Sequence, residues 1–216
     1  MKDTTIRSLI IARTLFEKAY GLCVADDRYL ASAGLVVMQD ALEIVFYALL
    51  IELGVDEKRN LERLSFDELI GELKQVGVTV PKSGALKALN KQRVLTKHYA
   101  QVAEPATVRH YLDATQQALE ATVNTVTGRA LTDVYLSDLL EQGEAKDFLK
   151  TAEQYISESR FLDALTEIRK AIFVAFEADY SVYDWRDYED YETASSDLSG
   201  WRVFMRLSRL PPMKVL

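Results

Sequence analysis

Leu35-Val36-Val37-Met38-Gln39-Asp40-Ala41-Leu42-Glu43-Ile44-Val45-Phe46-Tyr47-Ala48-Leu49-Leu50-Ile51 is the stretch that decides the fold. Leu35, Met38, Leu42, Val45 and Leu49 recur at three- and four-residue spacing, and Val37, Ala41, Ile44, Ala48 and Ile51 run beside them as a second stripe. That period is the signature of an α-helix, and two adjacent apolar stripes predict burial against several partners, including a second copy of the same helix. Asp26-Asp27 open it with negative charge where the helix dipole favours it, and Gly54 closes it.

Working outward, Asp3 to Ala25 reads as a first helix, capped by Thr4 or Thr5, with Ile6, Leu9, Ile10, Leu15, Phe16 and Ala19 as its apolar positions. Residues 55–64 are charged and read as a short helix or loop. Ser65-Phe66-Asp67-Glu68 has the form of a capping box and starts a helix that runs to Gly77. Ser83 is expected to cap the next helix, to about Val102, and Thr107 the one after the Glu104-Pro105-Ala106 break, ending at Gly128. After Gly128 a hairpin over 144–157 and 160–180 begins. Its Leu165-x-x-Ile168-Arg169-Lys170-Ala171-Ile172 matches Leu35-x-x-Met38-Gln39-Asp40-Ala41-Leu42 in pattern, which suggests a partial repeat. Residues 180–192 are acidic and tyrosine-rich, and Trp201 to Leu210 reads as a last short helix. The expectation is therefore an all-α chain with a helical domain over residues 1–130 and a hairpin plus acidic tail over 131–216.

Composition narrows the chemistry. With 216 residues, 49% of them hydrophobic, the chain can bury a proper core. Its single cysteine, Cys23, cannot close an internal disulfide and reads as core packing in a reducing compartment. No uninterrupted apolar run approaches ~18 residues, and the N-terminus lacks a signal-type apolar segment, so a cytoplasmic protein without a membrane span is expected. Two histidines and one cysteine cannot build a Cys/His zinc site. There is no Gly-rich phosphate loop and no Gly-x-Ser-x-Gly elbow. Asp40, Glu43 and Glu52 read as the flank of the second helix rather than a metal cluster, which would need Glu-x-x-His pairs.

Charge is the remaining signal. Residues 81–110 carry Lys82, Lys87, Lys91, Arg93, Lys97 and Arg109 against Glu104 alone, net +5 inside a chain of net −7. A cationic island on an acidic protein points to an anionic ligand, and phosphate is the usual one. At its centre lies Asn90-Lys91-Gln92-Arg93-Val94-Leu95-Thr96-Lys97-His98-Tyr99. RNA cleavage without metal needs a base for the 2′-hydroxyl, an acid for the leaving 5′-oxygen, and cations around the phosphorane. Histidine, with an unperturbed pKa of ~6.5, suits the proton work. Arginine suits the phosphate through its planar, permanently charged fork. Five residues of helix set Arg93 and His98 ~140° apart, while Lys91 and His98 share a face. One helix supplies one imidazole, so a second copy across a two-fold axis would supply the other. Arg109 and His110 read as surface residues in the first turn after Thr107.

Arg93-Val94-Leu95-Thr96-Lys97-His98, on a helix that follows two long antiparallel ones and precedes a proline-broken turn, resembles the HEPN superfamily, marked by Arg-x4-6-His in an all-α bundle. The resemblance covers roughly residues 5–130 and, more weakly, 144–180. It implies a metal-independent, cofactor-free endoribonuclease acting as a homodimer in prokaryotic defence, in the manner of a toxin. RNA is then the substrate, and an antitoxin or defence-complex protein a partner. By the same resemblance Arg93 and His98 are catalytic, and Lys97, Lys91 and Asn90 bind RNA. Val94 stands where active members often carry a polar residue, and Ala100 where adenylylated toxins carry a tyrosine. The alternatives are a non-catalytic HEPN-like module that binds nucleic acid or protein, and a helical scaffold in which the motif is accidental.

Overall fold

The computed structural model describes residues 1–178, and every regular element among them is helical, so the protein is all-α. The segments 180–192 and 201–210 singled out in the sequence lie outside the described residues. Two compact units divide the chain, Met1–Glu141 and the remainder from Gln142.

In the first unit α1 (Asp3–Cys23) and α2 (Arg28–Glu52) form an antiparallel hairpin. Asp27 caps α2 by accepting from the N–H groups of Tyr29 and Leu30, both at 2.8 Å. At the far end the Lys2 N–H donates to Glu52 at 2.8 Å, and Lys2 Nζ donates to the Ile51 carbonyl at 2.6 Å. The helices approach closely at Gly34, where a Cβ would lie 2.8 Å from both Cys23 Sγ and Leu22 Cβ and 2.9 Å from the Cys23 nitrogen. That contact needs a residue with no side chain, which is why a helix-weakening glycine stands inside α2.

α2 is the hub. α1, α3 (Phe66–Gln75), α4 (Ser83–Tyr99) and α5 (Pro105–Thr127) all pack on it. Leu35, Met38, Leu42, Val45 and Leu49 are fully buried, as the spacing predicts. Phe46 of α2 stacks on Phe66 of α3, with ring centroids 5.7 Å apart. By length and hydropathy α2 could cross a membrane; here its first stripe is fully buried, while Val37, Ile44 and Ile51 of the second are partly buried.

Several helix starts and ends differ in detail from the sequence reading. α1 starts at Asp3 with Lys2 at its cap, so Thr4 and Thr5 lie inside the helix, and it stops at Cys23, short of Ala25. Lys82, not Ser83, occupies the cap of α4, in the left-handed conformation (φ 57), and Ser83 is already helical. α4 stops at Tyr99 because Ala100 turns left-handed (φ 52), short of Val102. α5 begins at Pro105 with Glu104 at its cap, so Thr107 lies inside the helix; a proline at the first position sacrifices only an N–H that no helix would use.

The Ser65 box forms as read: Glu68 takes the Ser65 N–H at 2.8 Å and its hydroxyl at 2.7 Å. These bonds, the backbone one foremost, hold the Glu68 carboxyl below the usual carboxylate range. A depressed folded-state pKa adds stability above the unfolded value of ~4.3 and loses it as pH falls through the folded value. Glu68→Gln is therefore expected to lower the melting temperature at neutral pH and to match wild type once the acid form dominates in both. A difference that stays constant down through acid pH would contradict this.

The first unit closes with two 3-10 turns, Leu131–Asp133 and Leu136–Leu139. Arg13 of α1 donates to the carbonyls of Thr132 (3.0 Å) and Val134 (2.8 Å), and Leu131 and Val134 are buried. These ties make residues 131–139 part of the first unit. Cys23, buried beside Gly34, has its thiol pushed up to about 11 by desolvation. In the native full chain it is expected to resist a thiol reagent near pH ~8 and to react at once in denaturant, since only the thiolate attacks. Prompt reaction of the native protein would overturn this placement.

In the second unit α6 (Glu144–Ser157) and α7 (Phe161–Ile172) form a hairpin turned at Ser159, and a π-helical turn, Phe173–Glu177, follows. Arg160 lies over the Tyr155 ring (4.1 Å) and pairs with Asp163 at 2.8 Å. This hairpin matches the α1–α2 hairpin in pattern but not in burial: Leu35 is fully buried while Leu165 is 60% exposed.

Candidate functional site

α4 is placed by two leucines. Leu86 and Leu89 are fully buried, and Arg93, one turn further on the same stripe, is carried inward with them. Its Nη2 donates to Asp40 of α2 at 2.7 Å, and its side chain is 18% exposed. Its Nε is buried with no acceptor, and Nη1 has no acceptor among the described residues. Arg93 is thus anchored by one edge only. Asp40 is a site residue that sequence reasoning left on the helix flank, because its partner lies 53 positions away.

The opposite face of α4 is a different surface. Lys91, Val94, Leu95 and His98 follow an i, i+3, i+4, i+7 spacing and are all exposed, and Tyr99 extends them at 74% exposure. Val94 and Leu95 are 39% and 37% exposed, so two apolar side chains are flanked by a lysine and an imidazole on an open helix face. Lys91, Lys97 and His98 make no ion pair or hydrogen bond among the described residues, and Asn90 is half-buried at the edge of the stripe. Of the other cations in the island, Lys87 pairs with Asp67 at 3.6 Å and Arg109 with Asp26 at 3.5 Å. The uncompensated positive charge is therefore narrower than the sequence total: Lys82, Lys91 and Lys97, with Arg93 paired to Asp40.

The structure brings Lys91 and His98 onto one face and sets Arg93 on another, as the helical angle requires. Arg93 is not bonded to His98. The exit from α4 is fixed: Thr96 donates to the Gln101 carbonyl at 2.8 Å, and the Ala103 N–H donates to the buried Ser32 hydroxyl of α2 at 2.8 Å. The last turn, with Lys97 and His98, is thus tied down at its end. The His110 ring lies tilted beside that of Tyr111, with centroids 6.2 Å apart. Among the described residues no three His, Cys, Asp or Glu side chains gather in a way that could hold a metal ion. Of the remaining carboxylates weighed in the sequence, Glu43 accepts from Gln39 at 3.0 Å, and Glu52 pairs with the chain's N-terminal ammonium at 3.6 Å.

Comparison with known protein families, curated proteins and solved structures finds no match for this chain.

Proposed function

We propose that α4 is the working face of a metal-independent endoribonuclease of HEPN type, a prokaryotic defence effector whose site is completed by a second copy. The observation that carries this reading is the exposed stripe Lys91–Val94–Leu95–His98, with the one-edged Arg93 about 140° round the same helix, from where its long side chain wraps towards the phosphate. Its two apolar side chains suit a short seam against the same stripe of another copy, and a two-fold axis through that seam brings two imidazoles together. One His98 takes the 2′-hydroxyl proton as that oxygen attacks phosphorus. The other gives a proton to the departing 5′-oxygen, which leaves a 2′,3′-cyclic phosphate and a free 5′-hydroxyl. Arg93 offers its free Nη1 to the phosphorane while Asp40 holds Nη2, so Asp40 is a positioning residue. Lys97, Lys91 and Asn90 hold the flanking phosphates.

The test is labelled RNA incubated with the full chain in excess EDTA. Cleavage with 2′,3′-cyclic ends is expected, and RNA that stays intact at every protein concentration refutes catalysis. A second reading, a non-catalytic HEPN-like module that binds nucleic acid or a protein such as an antitoxin, is favoured by two observations. Val94 is an exposed apolar side chain where active members often carry a polar one, and Arg93 is ion-paired with Asp40. It expects salt-dependent RNA binding or partner capture through α4 with no cleavage.

A further inference from the structure

A concavity beside α2 lies away from the outer face of α4. It is an open groove of about 700 Å³ bounded by α1, α2, α3 and the 3-10 turn Leu61–Arg63. Its apolar lining includes Ile11 and Leu15 of α1, Ile44 and Tyr47 of α2, and Leu61 and Leu64. Three carboxylates join them: Asp40, Glu43 and Glu62. Asp40 is matched by Arg93, but Glu43 and Glu62 have no cationic partner among the described residues. The result is an apolar trough with unmatched negative charge along it.

The trough has a length. On α1 the lining residues run from Ser8 to Leu15, and on α2 from Asp40 to Tyr47. Each run is two helical turns, ~10 Å at 1.5 Å per residue. Two parallel stripes of two turns, open on the solvent side, match the shape of another helix better than that of a compact small molecule. We propose that this groove receives an amphipathic basic helix of a partner protein. That helix would place apolar side chains at i, i+3 or i+4, and i+7 against Ile11, Leu15, Ile44 and Tyr47, with Lys or Arg on its flanks facing Glu43 and Glu62. Nothing in this rests on α4 cleaving RNA, so either proposal survives the failure of the other.

The probe is a fluorescent leucine–lysine helical peptide of about 18 residues, long enough to hold a helix, titrated with the full chain and read by anisotropy. Binding with a Kd of ~10 μM at ~0.15 M salt is expected. Ile11→Asp and Glu62→Lys alter exposed side chains, so the fold should persist, as circular dichroism will check. Each is expected to weaken binding at least ~tenfold, while Glu120→Lys, an exposed carboxylate on α5 outside the groove, changes it less than ~twofold. A scrambled peptide of the same composition is expected to bind at least ~tenfold more weakly, because the groove reads a helical face. The proposal is overturned by no binding up to ~1 mM peptide, equal loss in the Glu120→Lys control, or equal affinity for the scrambled peptide. Displacement of the bound peptide by spermidine at micromolar concentration also overturns it, and makes the groove a small-cation site.

Discussion

Gly34→Ala is expected to destabilise the first unit by about 2–3 kcal/mol, the cost of overpacking a tight helix contact. The added methyl would enter 2.8 Å from Cys23 Sγ and 2.9 Å from the Cys23 backbone nitrogen. A side chain could turn aside, but the backbone nitrogen cannot, so α1 and α2 must separate along a seam that otherwise holds Leu9, Ala12, Ala19, Leu35 and Leu42 in the core. Gly21→Ala provides the internal control: it lies in α1 with nothing within 4 Å of the added carbon. There the helix gains alanine's better propensity, and a stabilisation of roughly 0.5–1 kcal/mol is expected. Urea unfolding of the two variants measures both signs. Equal effects at the two glycines would mean that α1 and α2 do not approach as described.

His98→Ala is expected to reduce RNA cleavage by at least ~100-fold while leaving the melting temperature unchanged, because proton transfer by a placed imidazole is worth about that much or more. The side chain is exposed and bonded to nothing among the described residues, so its removal disturbs no packing. Asp40→Asn separates positioning from catalysis. It keeps the shape beside Arg93 but removes the charge that holds Nη2. A fall in kcat of ~10-fold or more with KM little changed is expected, since RNA still meets Lys91 and Lys97. A purely structural role for Asp40 would instead move the melting temperature and leave the kcat and KM of the folded fraction alone.

The local grammar of the chain was legible where one residue type has one physical job. The first stripe of α2, the Ser65–Glu68 box and the left-handed glycines at Gly54, Gly77 and Gly128 all stand where their chemistry puts them. Lys82 and Ala100 also turn left-handed, yet neither residue type favours that conformation, so both ends of α4 were misplaced. The angle between Arg93 and His98 followed from helix geometry alone. Which of the two faces the core did not, because that depends on how α4 packs on α2 and α5 with Leu86 and Leu89 buried. Nor could spacing reveal that Asp40 takes Arg93 from 53 residues away, that carboxylates on α3 and before α2 take Lys87 and Arg109, or that Gly34 marks a helix contact. Contacts of that kind belong to the tertiary fold, and the charge island read from composition was wider than the one the fold leaves open.

The central claim is a single phosphodiester held between two imidazoles from two copies of α4. Its most direct test is the structure of the full chain bound to an RNA whose 2′-hydroxyl at the scissile position is methylated, in which the distance between the two His98 rings is measured. The account predicts a two-fold pair of α4 helices with each His98 within about 3–4 Å of the same scissile group, on opposite sides of the phosphorus. Two His98 rings in open solvent on opposite flanks of the assembly, with the RNA bound elsewhere, would contradict it.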